Sequence, residues 1–317
     1  MKFRCRFRPD TLHTLRSQSG AALLVFFVLL FSAAAAVGLR ALNNSVAGLD
    51  REANISTEMA EVKEILLSFA MLYPGSPGAT TGPGMLPCKD SDNDGIADAT
   101  CNNTTPGRLA AGIPNTQFTF SSRGGADDQF WYALSPGFRL LPGGIVNTTT
   151  AGTLSFDGVG DIAAVVIHAG QALTGQSRTN SAAVRNNPAN YLESTNVTGP
   201  AFVSSLPPPQ QFNDRAIAIS GSEMRTAMAL RVVADIKTQL DTYHPANAHT
   251  YPADADFAAA MSQPPGLPTW FTTNNWGAVT SYTFLNSNEA TIQFSSCAIV
   301  FTLTFGQPGI TRTVSSC

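Results

Sequence analysis

Nineteen consecutive residues, Ala21 to Leu39 (AALLVFFVLLFSAAAAVGL), carry no charge. As a helix the run is just long enough to cross a hydrocarbon core of about 30 Å. Lys2, Arg4, Arg6, Arg8 and Arg16 precede it against a lone Asp10, a net of +4 over residues 1–20. Positive charge before a span keeps the N-terminus cytoplasmic and sends the remainder across the membrane. An ordinary signal peptide has a shorter apolar run that ends at a small-residue cleavage site. Here a helical pattern continues instead. Leu42, Val46, Leu49, Met59, Val62, Leu66, Phe69 and Tyr73 recur mostly at spacings of three and four. They predict one helix from about Ala21 to Tyr73, roughly 80 Å long. Its first third would sit in lipid, and its last third would offer an apolar stripe for a globular domain to cover.

The rest of the composition fits an exported body. Charged residues are 13% of the chain, about half the usual share. The net charge is −3, so −7 remains beyond residue 20. Such an acidic body gives no electrostatic reason to bind nucleic acid. Cys5 lies in the basic leader, and the other four cysteines form two close pairs, Cys88/Cys101 and Cys297/Cys317. An even count beyond the membrane segment points to two disulfides and an oxidising compartment. Of the three connectivities, short-range pairing is the expected one; four buried thiols are the alternative.

Arg16-Ser17-Gln18-Ser19-Gly20 followed by Ala21-Ala22-Leu23-Leu24-Val25 resembles the leader junction of type IV pilins and pseudopilins. In that family a prepilin peptidase cuts after the Gly and methylates the new N-terminus. The resemblance therefore implies processing between Gly20 and Ala21. It also implies single-pass residence in a bacterial inner membrane, with the body in the periplasm or on a filament. The partners it implies are other pilin or pseudopilin subunits, met through the N-terminal helix. Most of the family has Glu at the fifth mature position, where it pairs with a neighbouring subunit's terminal amine. Here that position is Val25. An amine buried in an apolar filament core without that partner is costly, so Val25 points to a minor or tip subunit. An uncleaved signal anchor is the plainer alternative.

Beyond a Gly/Pro run at 74–84 comes Leu86-Pro87-Cys88-Lys89-Asp90-Ser91-Asp92-Asn93-Asp94-Gly95-Ile96-Ala97-Asp98, which closes at Cys101. Asp at alternate positions followed by Gly opens a calcium loop. Asp90, Asp92 and Asp94 would supply carboxylates, Ile96 a backbone carbonyl, and Asp98 a direct or water-bridged ligand. The twelfth position is Cys101, not Glu, so a bidentate ligand must come from elsewhere or be missing. The alternative is an acidic surface turn stapled by its cysteines. A Leu-Pro-Cys before an Asp-rich loop resembles a group of large pseudopilin-like proteins. Asp127-Asp128-Gln129-Phe130-Trp131-Tyr132-Ala133, Ile162–Ile167, Tyr191-Leu192-Glu193 and Phe212-Asn213-Asp214-Arg215 resemble its later motifs.

The second half echoes the first. A helical pattern from Glu223 to Tyr243 ends near Pro245, and Tyr251-Pro252-Ala253-Asp254-Ala255-Asp256 follows it. Pro265-Gly266-Leu267-Pro268 then precedes an expected aromatic strand carrying Trp270, Trp276 and Tyr282, as Pro106-Gly107-Arg108-Leu109 precedes one at Trp131-Tyr132. The expected fold class is α+β: a long N-terminal transmembrane-plus-periplasmic helix packed on antiparallel sheet. The echo predicts a tandem of two pilin-like helix-plus-sheet units. The expected divisions are a leader (1–20), a helix (21–73), a first β-rich domain with the Asp loop (74–220) and a second helix-plus-sheet domain (221–317). The C-terminal Thr291–Phe294, Ala298–Phe305 and Ile310–Val314 read as strands.

No nucleophile elbow, P-loop, H-E-x-x-H or C-x-x-C occurs. His168 reads as a strand-end residue, and His244 and His249 straddle Pro245 without metal-ligand spacing. The expectation is a non-enzymatic minor pilin or pseudopilin-like subunit of a type IV filament or type II secretion pseudopilus, at an initiating or tip position. The alternative is a membrane-anchored, adhesin-like binding module outside any filament.

Overall fold

The computed structural model describes residues 52–73, 81–101, 104–111, 129–140, 144–179, 181–206, 211–313 and 316–317. The Gly20–Ala21 junction, Val25, the uncharged run 21–39 and the Asp127–Asp128 pair lie outside the described residues. Helix α1 is described over 52–72. Met59, Val62, Leu66, Phe69 and Ala70 are all buried, so the stripe spaced by three and four faces the core. Lys63 donates to the Ala218 carbonyl at 2.9 Å and pairs with Glu223 at 2.6 Å. The chain that follows is not a surface loop throughout, because residues 82–90 are all buried. Gly84 has φ +99°, and a Cβ there would lie 1.9 Å from Met228 Sδ. Glycine alone allows both that backbone and that approach.

The first sheet contains β1 (Gly107–Arg108), β2 (Trp131–Leu134), β3 (Leu154–Phe156), β4 (Val159–His168), β5 (Ala201–Phe202) and β6 (Arg215–Ser220). Its centre is β4, where Ile162–His168 are buried. A strand covered on both faces needs the unbroken apolar run that Ile162–Ile167 provides. β2 pairs antiparallel with the second half of β4 and β3 with the first half, so β2 and β3 follow one another along one edge. β6 takes the opposite edge, from Ile162↔Ser220 to His168↔Arg215. β5 lies parallel to β3. Irregular register in the β3–β4 and β4–β6 pairs bends the strands, so the sheet curls. On one face Trp131, Ala133, Val165 and Ile167 pack with Leu154, Tyr191, Leu192 and Phe202.

β6 runs directly into α3 (Gly221–Ala246). Ser220 and Glu223 form a reciprocal capping box that satisfies two amides of the first turn. α3 packs on β4 and β6, and Arg225 pairs with Asp161 of β4 at 2.7 Å. Three short helices follow: α4 (Phe257–Ser262), α5 (Thr269–Thr273) and α6 (Trp276–Val279). The second sheet is an antiparallel meander of β7 (Thr280–Asn286), β8 (Glu289–Phe294), β9 (Val300–Thr304) and β10 (Thr311–Arg312). Ala290, Ile292, Phe294, Phe301 and Leu303 are buried on alternate positions, so one face is covered. Cys297 is bonded to Cys317, whose amide donates to Thr226 Oγ1 on α3. Residues 57–317 pack as one compact unit.

The expected fold class needs correction. The fold is a mixed α+β arrangement with one curled sheet and a second, separate sheet. No helix among the described residues is long and apolar enough to cross a membrane. The first sheet is not purely antiparallel, because β5 runs parallel to β3. The two halves are not two copies of one helix-plus-sheet unit. The first sheet has six strands and a branched order, whereas the second has four in sequence. Trp131 lies on a strand, but its supposed counterparts Trp270 and Trp276 lie in α5 and α6. Short aromatic and proline motifs report local turns and burial. They carry no information about which strands pair.

Arg108 is the least expected member of this core, being 1% exposed. Its guanidinium carbon lies 4.0 Å from the Trp131 ring centre and 4.3 Å from that of Tyr191. Its nitrogens donate to the Gln129 carbonyl at 3.1 Å and to the Arg185 carbonyl at 3.0 and 3.2 Å. Arg178 lies 4.9 Å from the same Tyr191 ring and donates to the Ala169, Gly170 and Tyr191 carbonyls. Replacing Arg108 with Met keeps the stem but leaves buried carbonyls without donors. By chemical denaturation Arg108→Met should lose about 2–4 kcal/mol of stability. A loss below about 1 kcal/mol would show the cation to be dispensable to the core.

Candidate metal centre

The Asp-rich loop is tied down at three points. The Asp90 amide donates to the Arg108 carbonyl at 2.8 Å, and the Arg108 amide returns to the Asp90 carbonyl at 3.0 Å. The loop therefore adds one more rung outside β1. Cys88 is bonded to Cys101 with their Cα atoms 5.6 Å apart, which staples the two ends. From the other side Asn186, the C-cap of α2 (Ala182–Arg185), donates to the Asp92 carbonyl at 2.8 Å. The same α2 terminus supplies the Arg185 carbonyl to Arg108.

Within the loop the backbone turns back on itself. Asn93 and Gly95 have φ of 59° and 90°. A Cβ at Gly95 would meet nothing within 4 Å, so glycine serves the backbone angle there and not a close approach. The turn aims amides inward. Asp90 Oδ1 accepts from Asp94 N at 3.2 Å, and Asp90 Oδ2 accepts from Gly95 N at 2.8 Å. Asp98 Oδ1 accepts from Ser91 N at 3.2 Å, and Asp98 N donates to the Lys89 carbonyl at 2.9 Å.

Three of the five residues read from sequence converge. Carboxylate oxygens of Asp90, Asp92 and Asp98 all lie within 4.8 Å of one another. Asp94 is not in that group, and its Oδ1 accepts from Ile96 N at 2.8 Å. The Ile96 side chain is exposed. Burial pushes the Asp90 carboxyl above its usual range, against amide donors that favour its charge. Burial also pulls the neighbouring Lys89 amine down, while Asp98 opposes that shift.

A donor set of carboxylates alone suits a hard cation. Calcium holds oxygens at about 2.3–2.6 Å, so ligands on opposite sides of one ion are about 4.6–5.2 Å apart. The three carboxylates fit within that diameter. They supply fewer than the six to eight oxygens calcium takes, so backbone carbonyls or water must complete the shell. Among the described residues no other group of three His, Cys, Asp or Glu comes close enough to share an ion. Among the described residues, His244 and His168 are engaged otherwise. His244 Nε2 hydrogen-bonds Asn288 Oδ1 at 2.9 Å and its ring stacks on Phe305, while His168 is buried at the end of β4.

A second concavity lies over α4 and α5. Phe257, Met261, Pro265, Leu267, Phe271 and Thr272 help line about 390 Å³, and no charged side chain borders it. Sequence reading missed it, because its walls come from short helices that were taken for loop and strand. The chain matches no known family model, no characterised protein and no solved structure.

Calcium at about a hundred times its dissociation constant should stabilise the chain by about 2.7 kcal/mol, raising Tm by several degrees over a chelator-treated sample. Asp92→Asn with Asp98→Asn, a change at exposed and half-exposed positions, should abolish the shift. A wild-type Tm unmoved by calcium would leave the loop a self-bonded turn.

Proposed function

We propose that this chain is a membrane-anchored, exported structural subunit, a minor pilin or pseudopilin-like protein that starts or caps a type IV filament or a type II secretion pseudopilus. The observation that carries the reading is the Gly20–Ala21 junction in front of an uncharged run of 19 residues. The paired cysteines, bonded as Cys88–Cys101 and Cys297–Cys317, support an oxidising compartment. The correction to the fold class leaves this argument where it stood, because the leader and the uncharged run lie outside the described residues. A prepilin peptidase and other filament subunits are the partners. Val25 removes the carboxylate that would meet a neighbour's amine, which favours an end position over a repeating one.

The body's part is structural and not enzymatic. Its acidic balance gives no footing for nucleic acid. Asp90, Asp92 and Asp98 would hold a calcium ion, which would neutralise their mutual repulsion and stiffen the stapled loop. A second reading, an anchored binding module outside any filament, draws on the uncharged cavity of about 390 Å³ over α4 and α5. Such a cavity accepts a small neutral group.

Intact-mass analysis of the membrane-extracted protein tests the first reading. The mature chain should begin at methylated Ala21. A chain that still begins at Met1, in cells with an active prepilin peptidase, would overturn it and favour the anchored module.

A further inference from the structure

The concavity over α4 and α5 is lined by two kinds of side chain. Phe257 and Met261 lie one turn apart on α4, and Leu267 and Phe271 complete the apolar part. Met261 and Phe271 are 6% and 7% exposed, so they are already firmly packed. The chain closes back on α4 between them. Gly266 takes φ +75°, and the Leu267 amide donates to the Met261 carbonyl at 3.2 Å. The second kind is hydroxyl. Ser262, at the end of α4, and Thr272, in α5, border the same space, and both are exposed.

Phe257 is fixed from behind. Its ring stacks on Tyr282 of β7, with centroids 4.4 Å apart and planes at 12°. Tyr282 Oη in turn donates to the Pro252 carbonyl at 2.8 Å. One face of the Phe257 ring therefore belongs to the second sheet, and the rest of the ring borders the cavity.

The lining selects a ligand class. No charged side chain borders the cavity, so an ion entering it would lose water without gaining a counter-charge. The Ser262 hydroxyl donates to the Ala258 carbonyl at 3.1 Å, which leaves its oxygen able to accept. The Thr272 hydroxyl both donates and accepts. A wholly apolar ligand would take water from both hydroxyls and return no hydrogen bond. The whole lining is met by a neutral ring with an apolar C–H face and hydroxyls on its rim. A volume of about 390 Å³ suits a small molecule.

We propose that this cavity binds a neutral pyranose, its C–H face against Phe257 and its hydroxyls bonded to Ser262 and Thr272. The proposal deepens the binding-module reading and rests on the cavity being a ligand site. Gly277 supplies a way to close it. This residue lines the cavity from α6, and a Cβ there would meet only Phe271 Cε1, at 3.8 Å, an ordinary contact. Gly277→Leu therefore plugs the space, and leucine also suits a helix better than glycine.

Saturation-transfer NMR on the full chain tests this, with the methyl glycosides of glucose, galactose, mannose and N-acetylglucosamine as probes. At least one should bind with a Kd of about 1 mM or tighter. Gly277→Leu should abolish that binding with Tm maintained. Ser262→Ala with Thr272→Val should weaken it by about tenfold. Binding of none of the four glycosides would overturn the proposal, and so would binding that survives the plug. Indole, a neutral ring without hydroxyls, separates this failure from failure of the underlying reading. If indole alone binds and the plug abolishes it, the saccharide class falls and the cavity stays a ligand site. If neither indole nor any glycoside binds, the binding-module reading loses its cavity as well. Should Gly277→Leu fail to fold, glycoside binding undiminished in the hydroxyl double variant decides against the proposal.

Discussion

A buried guanidinium holds the first half of this molecule together. Removing a cation from water costs several kcal/mol unless stacking and hydrogen bonds replace its hydration. Arg108 obtains both, from the faces of Trp131 and Tyr191 and from the carbonyls of Gln129 and Arg185. The partners come from three stretches of chain: Gln129 and Trp131 at the start of β2, Arg185 at the end of α2, and Tyr191 beyond α2. The Arg108 backbone meanwhile pairs with Asp90, so the residue that fixes the core also fixes the acidic loop. Tyr191 is shared with Arg178, which bonds Gln176, which bonds Glu193. One contiguous path thus runs from the carboxylate loop to the Glu193–Asp214 pair.

Parts of this were legible in the sequence because they rest on local rules. The apolar run Ile162–Ile167 resembles a buried strand, and it is buried along β4. Met59, Val62, Leu66 and Phe69 lie on one helical face, and that face is buried. The alternate aspartates with Gly95 announced a turn that gathers carboxylates, and three of them gather. What failed depended on distant partners. Arg108 sits in Pro106-Gly107-Arg108-Leu109, where nothing local announces that two aromatic rings will enclose it. Asp214 looks like any polar strand edge until Glu193 is placed beside it. Trp270 and Trp276 suggested a strand, yet both lie in short helices, since aromatic residues mark burial more firmly than they mark secondary structure. Asp94 lies outside the carboxylate cluster, and its Oδ1 accepts from the Ile96 amide.

Functionally, the molecule divides its tasks. The anchoring argument belongs to the leader and the uncharged run, and the described unit presents what would lie outside the membrane. That unit offers a stapled carboxylate loop and an uncharged cavity. Neither needs a catalytic group to be useful. Each suits a subunit that meets partners in a compartment where cysteines stay oxidised.

The proposed place at a filament end is directly open to measurement. Filaments sheared from cells and purified should carry this chain at low stoichiometry, and antibody against residues 57–317 should label filament ends and not their length. Filaments wholly free of the chain, with all of it retained in the membrane fraction, would contradict the account and leave an anchored module in its place.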